Sequence, residues 1–253
     1  MTSSVLVTGG TGTLGRHVTP LLLDAGCKVR VLSRRSHEPR DGLEFVTGDL
    51  LKDEGIEPAV DGAEIVLHLA GGPKGDDEAT RNLVRAASRA GVQHLVCISV
   101  IAADRVPIGY FRSKLGEERA VAESGLPWTT LRAAQFHDLI LIVLQKMAKL
   151  PVVPVPRGVG MQPVDSRDVA ARLVELTLDE PAGLVPDLAG PNVYGMADLV
   201  RGYLRARGKH RLTMPVRVPG KAGRVYRAGE NLSLEGADMG TRTWEDFLAE
   251  RLP

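Results

Sequence analysis

Apolar and polar positions divide the first 140 residues into recurring strand and helix signals. Ser4-Val5-Leu6-Val7-Thr8 is a short β-branched run, and it ends in Gly9-Gly10-Thr11-Gly12-Thr13-Leu14-Gly15. A helical spacing follows in Leu14, Val18, Leu21, Leu22 and Ala25, closed by Gly26. Lys28 to Ser33 alternates and predicts a second strand. Leu43 to Val46, Glu64 to Leu69 and His94 to Ser99 predict the next three. Helical faces fall over Asp77 to Ala90, closed by Gly91, and over Tyr110 to about Ser124, ahead of Gly125-Leu126-Pro127. Trp128 to Arg132 reads as a sixth strand, and the largely apolar Asp138 to Lys149 as a further helix. Continuous apolar strands alternating with helices predict an α/β fold, a doubly wound parallel sheet of Rossmann type.

The pattern weakens after residue 150. Pro151 to Gly158, with three prolines, predicts a break between a nucleotide-binding domain (1–150) and a small C-terminal substrate-side region (151–253). In that region Met161-Gln162-Pro163-Val164 reads as a short strand, and Asp165 and Asp168 as caps of a helix over Val169 to Leu178. Leu184 to Ala189 reads as a weak strand, Met196 to Arg207 as an amphipathic helix, and Trp244 to Leu252 as a closing helix. Arg217 to Arg227, basic and broken by glycine, reads as a solvated loop.

Composition narrows the function classes. The apolar share of 43% is enough for a continuous core, and a formal charge of +1 argues against nucleic acid as the main partner. Two cysteines, Cys27 and Cys97, in apolar surroundings read as buried thiols in a reducing compartment. No run approaches the roughly 18 apolar residues of a membrane span. Met1 to Ser4 leads straight into the first strand, which predicts no signal or transit peptide, a cytoplasmic location and no membrane partner. No zinc-ligand spacing, P-loop or nucleophile elbow occurs, so no metal site is expected.

A glycine turn between a strand and a helix is the context a dinucleotide fingerprint requires. Gly9 makes the tight turn, Gly12 leaves room for a pyrophosphate, and Gly15 permits close helix–strand packing. The amides of Thr11, Thr13, Leu14 and Gly15 then face the diphosphate at a helix N-terminus. A site selecting NAD places a carboxylate roughly 20 residues further on. Here that stretch is Ser33-Arg34-Arg35-Ser36, whose guanidinium groups suit a 2′-phosphate, so NADP(H) is favoured over NAD(H). Asp49 and Leu50 follow the third strand, where adenine passes, although Asp49 serves equally as a helix cap. Leu69, Ala70 and Gly71 end the fourth strand at the crest that the cofactor crosses. His68, beside them, reads as a hydrogen-bonded core histidine.

Tyr110 and Lys114 are four residues apart and share a helical face. A lysine there lowers a phenol's pKa from about 10 and can hold the cofactor ribose. Ser99, ending the fifth strand, is placed to hold a substrate oxygen. Gln135 and Phe136, beyond the sixth strand, are placed to flank the nicotinamide.

Thr8-Gly9, Gly12, Gly15, the Tyr110/Lys114 pair and Ser99 together resemble the short-chain dehydrogenase/reductase superfamily. The opening, Tyr110-Phe-Arg-Ser-Lys-Leu-Gly-Glu-Glu and Leu131-Arg-Ala-Ala-Gln-Phe-His-Asp resemble its atypical NmrA-like branch. The resemblance implies Tyr110 as general acid/base, Lys114 as its pKa-lowering and ribose-binding partner, and Ser99 as the residue that orients a carbonyl. Ser99 departs from the superfamily pattern in being followed by Val100-Ile101 and in its short spacing to Tyr110. The implied activity is hydride transfer from NADPH to a small-molecule carbonyl, quinone or activated double bond. The branch also contains dinucleotide sensors without turnover, and a nucleotide-sugar epimerase or dehydratase is a third reading. Monomer and homodimer are both compatible with the sequence.

Overall fold

The computed structural model describes residues 3–72 and 75–252. The chain forms two compact units, each assembled from separated segments. Unit 1 takes residues up to Ser99, then Gly109–Arg132 and Ala170–Val185, and unit 2 takes Val100–Ile108, Ala133–Val169 and Pro186 onward. The chain passes between them repeatedly, where the sequence suggests a single cut near residue 150.

Unit 1 begins β1 (Ser4–Thr8), α1 (Gly15–Asp24), β2 (Lys28–Ser33), β3 (Leu43–Thr47), α2 (Ile56–Val60) and β4 (Ile65–His68). It continues with α3 (Asp76–Ala90), β5 (His94–Val100), α4 (Gly109–Ala122) and β6 (Trp128–Ala133), the last residue of β5 and of β6 falling in unit 2. The strand order is β6-β5-β4-β1-β2-β3, with parallel pairing of β1 to β2 and β4, β2 to β3, and β4 to β5. The order reverses between β1 and β4, the switch point where open α/β sheets bind ligands. The architecture is the expected Rossmann-type α/β fold.

Register sorts the strand residues between two faces. Leu6, Leu32, Val66, Leu95 and Cys97 lie on the face covered by Ile56 and Val60 of α2, Leu83 and Ala87 of α3 and Val121 of α4. Thr8 pairs with His68 and His68 with Cys97, so these three polar side chains share that face at the carboxyl end of the sheet. The alternation that builds the core thus gathers polar groups under the crest.

Unit 2 contains α5 (His137–Met147), β7 (Val152–Pro156), α7 (Met196–Ala206), α8 (Gly220–Ala228) and α9 (Trp244–Arg251). The helix α6 (Ser166–Leu178) begins there and ends in unit 1. Its core joins Leu144, Val153, Val155, Tyr203, Trp244 and Phe247. Five expectations are corrected here. Pro151 to Gly158 is a strand and not a break, since β7 pairs in parallel with Leu212–Val216. Arg157 N–H donates to Val216 O, so by alternation the N–H positions of Pro154 and Pro156 face away and none is missed. Arg217 to Arg227 is mostly α8 and not a loop: Gly223 packs its backbone against Val218 O, where a Cβ would lie at 2.0 Å. The expected strand at 161–164 shrinks to Gly160–Met161, paired antiparallel with Tyr194–Gly195, while Val164 bridges Phe136. The weak strand at 184–189 is two separate pieces, Gly183–Leu184 and Leu188–Ala189. Asp165 does accept from Arg167 N, as a cap should, but Asp168 instead holds the 241–242 turn through Thr241 N and Arg242 N.

Candidate functional site

The glycine loop shows why each glycine is there. Gly9 has φ +70°, and a Cβ on it would meet Ala70 N at 2.7 Å. A Cβ on Gly15 would sit 2.4 Å from Gly10 Cα, so the close packing that needs this glycine is of the helix start on the glycine turn rather than on the strand expected from the sequence. Gly12 differs. It is exposed, and a Cβ there would meet only Gly9 O, at 3.2 Å, a far milder crowding than at Gly9 or Gly15. No side chain caps α1, and its first turn carries no acid, whereas α9 opens with a Thr243/Asp246 capping box. A dinucleotide diphosphate fits this loop: it needs bare backbone on its approach and unoccupied amides at a helix start.

At the end of β2, Ser33 is buried and its Oγ accepts from Arg35 N at 3.1 Å. Arg34 and Arg35 are exposed and form no ion pair among the described residues. His37, which sequence reasoning passed over, lies 3.1 Å from Ser33 Oγ through Nε2 and packs on Phe45, ring centroids 4.8 Å apart. Asp49 Oδ1 accepts from Leu51 N and Lys52 N and so holds the turn after β3, not the helix it was expected to cap, because α2 begins only at Ile56 with Gly55 as its N-cap; Leu50 is buried in the core.

Under the crest lies a directed hydrogen-bond chain. Ala70 N–H donates to Thr8 Oγ1 at 3.3 Å, and Thr8 Oγ1 lies 2.6 Å from His68 Nδ1. His68 Nε2 lies 2.9 Å from Thr80 Oγ1, which donates to Asp76 O at 2.7 Å. Because the Thr80 hydroxyl proton is committed to Asp76, His68 carries its proton on Nε2 and accepts from Thr8 at Nδ1. The imidazole is neutral: burial, then the Lys114 charge, depress its pKa to about 3. The core-histidine reading holds, and the chain ties the end of β1 to the β4 crest.

Lys114 is buried among carboxylates, with Nζ 2.8 Å from Glu117 Oε2 and 3.7 Å from Asp76 Oδ2. Burial lowers the ammonium's pKa, but the Glu117 charge and hydrogen bond, together with Cys97 and Tyr110, outweigh it and hold the group above its ordinary value. Glu117 is fully buried and also takes the Cys97 thiol on Oε1 at 3.0 Å. Burial pushes Glu117 up, and Lys114 pulls it back. Asp76 Oδ1 accepts from Gly72 N at 2.7 Å, and a Cβ on Gly71 would stand 3.3 Å from Lys114 Nζ. The ammonium therefore sits directly beneath the β4–α3 turn.

Tyr110 is 41% exposed at the head of α4. Burial raises its phenol pKa and Lys114 lowers it; the net direction is upward, against the acidified phenol expected from the sequence. The physical reason is chiefly burial of the phenol, which outweighs Lys114, with Asp76 and Glu117 adding to the upward push. Ser99 is buried, and its Oγ has no hydrogen-bond partner among the described residues.

The Gly9–Gly15 loop, Ser33 to Arg35, Asp49, Leu50, Leu69 to Gly71, Ser99, Tyr110 and Lys114 all belong to unit 1. Gln135 and Phe136 belong to unit 2, half-buried at the start of α5, where Gln135 O accepts from Val164 N. Sequence reasoning missed Asp76 and Glu117. The available signal was Glu117 three residues after Lys114, one turn along α4.

A family model described as NAD(P)H-binding matches residues 9–180. A (4-alkanoyl-5-oxo-2,5-dihydrofuran-3-yl)methyl phosphate reductase of Streptomyces griseus subsp. griseus is 35% identical over 212 residues, 81% of this chain and 74% of that protein. An NAD(P)H azoreductase of Xenophilus azovorans is 29% identical over 215 residues, again 81% and 74%. In fold, the chain is similar to an NADPH-dependent quinone oxidoreductase of Escherichia coli solved with NADPH, at 19% identity and TM-score 0.81, covering 98% of this chain and 99% of that one. The glycine loop and these matches agree, and the chain belongs to the NAD(P)H-binding family, as the resemblance to atypical short-chain dehydrogenase/reductases implies.

Proposed function

We propose that this NAD(P)-dependent oxidoreductase is a reductase that takes NADPH as its hydride source and reduces a carbonyl, quinone or activated double bond of a small molecule. The reductase names of its two relatives support the reaction class. Arg34 and Arg35, unpaired at the end of β2, support NADPH over NADH, because paired charge-assisted hydrogen bonds suit a 2′-phosphate. Gly12 and the amides of Thr13, Leu14 and Gly15, at the start of α1, hold the diphosphate. Lys114, clamped under Gly71 by Glu117 and Asp76, is the ribose-binding cation of the crest.

The observation that carries the direction of the chemistry is Tyr110. Its phenol is kept protonated and reachable from solvent, which suits donation of a proton to an oxyanion developing on the substrate. A phenol with a raised pKa is scarcely ionised near neutral pH, so little phenolate is available as the base for the reverse, oxidative direction. Ser99 Oγ, buried without a partner, supplies a hydroxyl to fix the substrate oxygen. Tyr110→Phe keeps the fold and NADPH affinity and lowers turnover by about 10²- to 10⁴-fold. Undiminished NADPH oxidation by this variant would remove the tyrosine from the mechanism.

A sensing role without turnover is the second reading, favoured by the engagement of Lys114 with Glu117. It predicts no NADPH oxidation across a carbonyl and quinone panel and a partner whose capture depends on the cofactor's redox form.

A further inference from the structure

In unit 2, β7 and Leu212–Val216 form a two-stranded parallel ribbon, with Val152 in register with Leu212 and Pro154 with Met214. Alternation gives β7 two unlike faces. Val153 and Val155 are buried in the unit 2 core, while Val152 is exposed. Leu212 and Met214, in register with the outward β7 positions, are 74% and 52% exposed, and Leu150, just ahead of the ribbon, is 45% exposed. A soluble protein ordinarily guards such a strand with charge along its length or covers it. Here the charge stands at the two ends. Both strands run the same way, so Lys149, Lys209 and Arg211 flank the amino end, and Arg157 and Arg217 follow the carboxyl end. None of the five is ion-paired among the described residues; Arg211 donates to His210 O.

The surrounding sequence makes this charge one-signed. No Asp or Glu occurs from Leu139 to Val164 or from Leu199 to Gly229, stretches that together carry twelve Lys and Arg. The chain's net charge of +1 conceals this asymmetry. We propose that the outer face of the ribbon, with the cations at its ends, seats the protein on an anionic lipid surface. Aliphatic side chains between cationic ends match an acyl boundary beneath anionic headgroups. Nucleic acid is disfavoured because Leu212–Val216 and β7 offer no aromatic ring for base stacking. A second copy is disfavoured because a two-fold contact here would set cationic ends against cationic ends. This revises the expectation of no membrane partner: no described helix is long and apolar enough to cross a bilayer, but peripheral seating needs none.

The full chain is sedimented with vesicles of phosphatidylcholine alone and of phosphatidylcholine mixed with phosphatidylglycerol. Binding is expected to the mixed vesicles only, weakening as salt rises. Arg211→Gln and Arg217→Gln should each weaken it about fivefold. Leu212→Ser with Met214→Ser should remove the part that survives high salt. NADPH titration and melting temperature confirm that each variant is folded. No binding to mixed vesicles, or equal binding by all variants, overturns the proposal. Retention of an oligonucleotide in place of vesicles, or self-association abolished by Leu212→Ser with Met214→Ser, overturns it in favour of the other occupant.

Discussion

Lys114 in unit 1 and Asp165 in unit 2 are both buried charges, yet their counter-ions stand in different places. Glu117, opposite Lys114, is itself wholly buried, and Asp76 beside them is 5% exposed. Asp165 is instead the inner end of a chain leading outward. Arg167 Nη2 reaches its Oδ2 at 2.8 Å with the Arg167 side chain 31% exposed, and Arg167 Nη1 passes on to the exposed Glu250 at 2.7 Å. Burial would raise the Asp165 carboxyl, but the Arg167 guanidinium and backbone N–H, with His137 nearby, hold it well below the usual range. Unit 2 thus leads a core charge to solvent and ties α6 to α9 on the way. Unit 1 confines charge in the interior, where desolvation is most costly, and aims it at the turn beside the glycine loop. The difference separates a structural ion pair from one kept for a ligand.

Removing one partner breaks or sharpens this contrast most strongly. Glu117→Ala, which strands the Lys114 ammonium, should cost about 3–5 kcal/mol by urea denaturation. Glu250→Ala, at the solvent end of the other chain, should cost about 1 kcal/mol or less. Equal losses would mean that the two clusters do the same job. The glycines come next. Gly15→Ala forces a Cβ onto Gly10 backbone and should destabilise by about 1–3 kcal/mol. Gly12→Ala, whose Cβ meets only Gly9 O at 3.2 Å, should lower the melting temperature far less than Gly15→Ala and weaken NADPH binding, because the ligand needs that space most. A Gly12→Ala protein that loses stability and keeps its affinity would reassign the loop to folding alone.

Acid separates the units with a smaller effect. The native pKa of His68 is lowered to about 3, so below the unfolded value of about 6.5 the unfolded chain binds the extra proton. Stability is full above that value and falls as pH drops toward 3, by at most about 1.4 kcal/mol per pH unit. Asp165, with a depressed pKa, contributes stability that is lost only as pH falls below the unfolded carboxylate value of about 3.9. His68→Gln should therefore flatten the stability profile between pH 6 and 4.5, and Asp165→Asn should leave that window unchanged. The reverse pattern would place the acid-sensitive group in unit 2.

The units also differ in how much of them the sequence discloses. Unit 1 is built from neighbouring βα repeats, so apolar periodicity alone locates its strands, and Gly9, Gly12 and Gly15 announce the site between them. Inside it, Glu117 and Asp76 escaped because each sits at an ordinary helical position. Their meaning arises only when register brings Thr8, His68 and Cys97 onto the same face. Unit 2 is held by ties between distant residues, such as Asn231 to Gly160 and Asp168 to Thr241. No local pattern signals those partners, so Asp168 reads as a cap. Pro154 and Pro156 read as breakers because their outward N–H positions depend on a partner strand some 60 residues away. Gly223 reads as a loop residue until Val218 O is seen against it.

The central claim is that the glycine loop and the two arginines after β2 form an NADPH site. Calorimetric titration of the purified chain with NADPH and with NADH tests it most directly. The account predicts saturable binding of both, with NADPH tighter by about tenfold or more, and loss of that preference in Arg34→Ala with Arg35→Ala. No measurable heat with either dinucleotide, or equal affinity that the double variant leaves untouched, would contradict it.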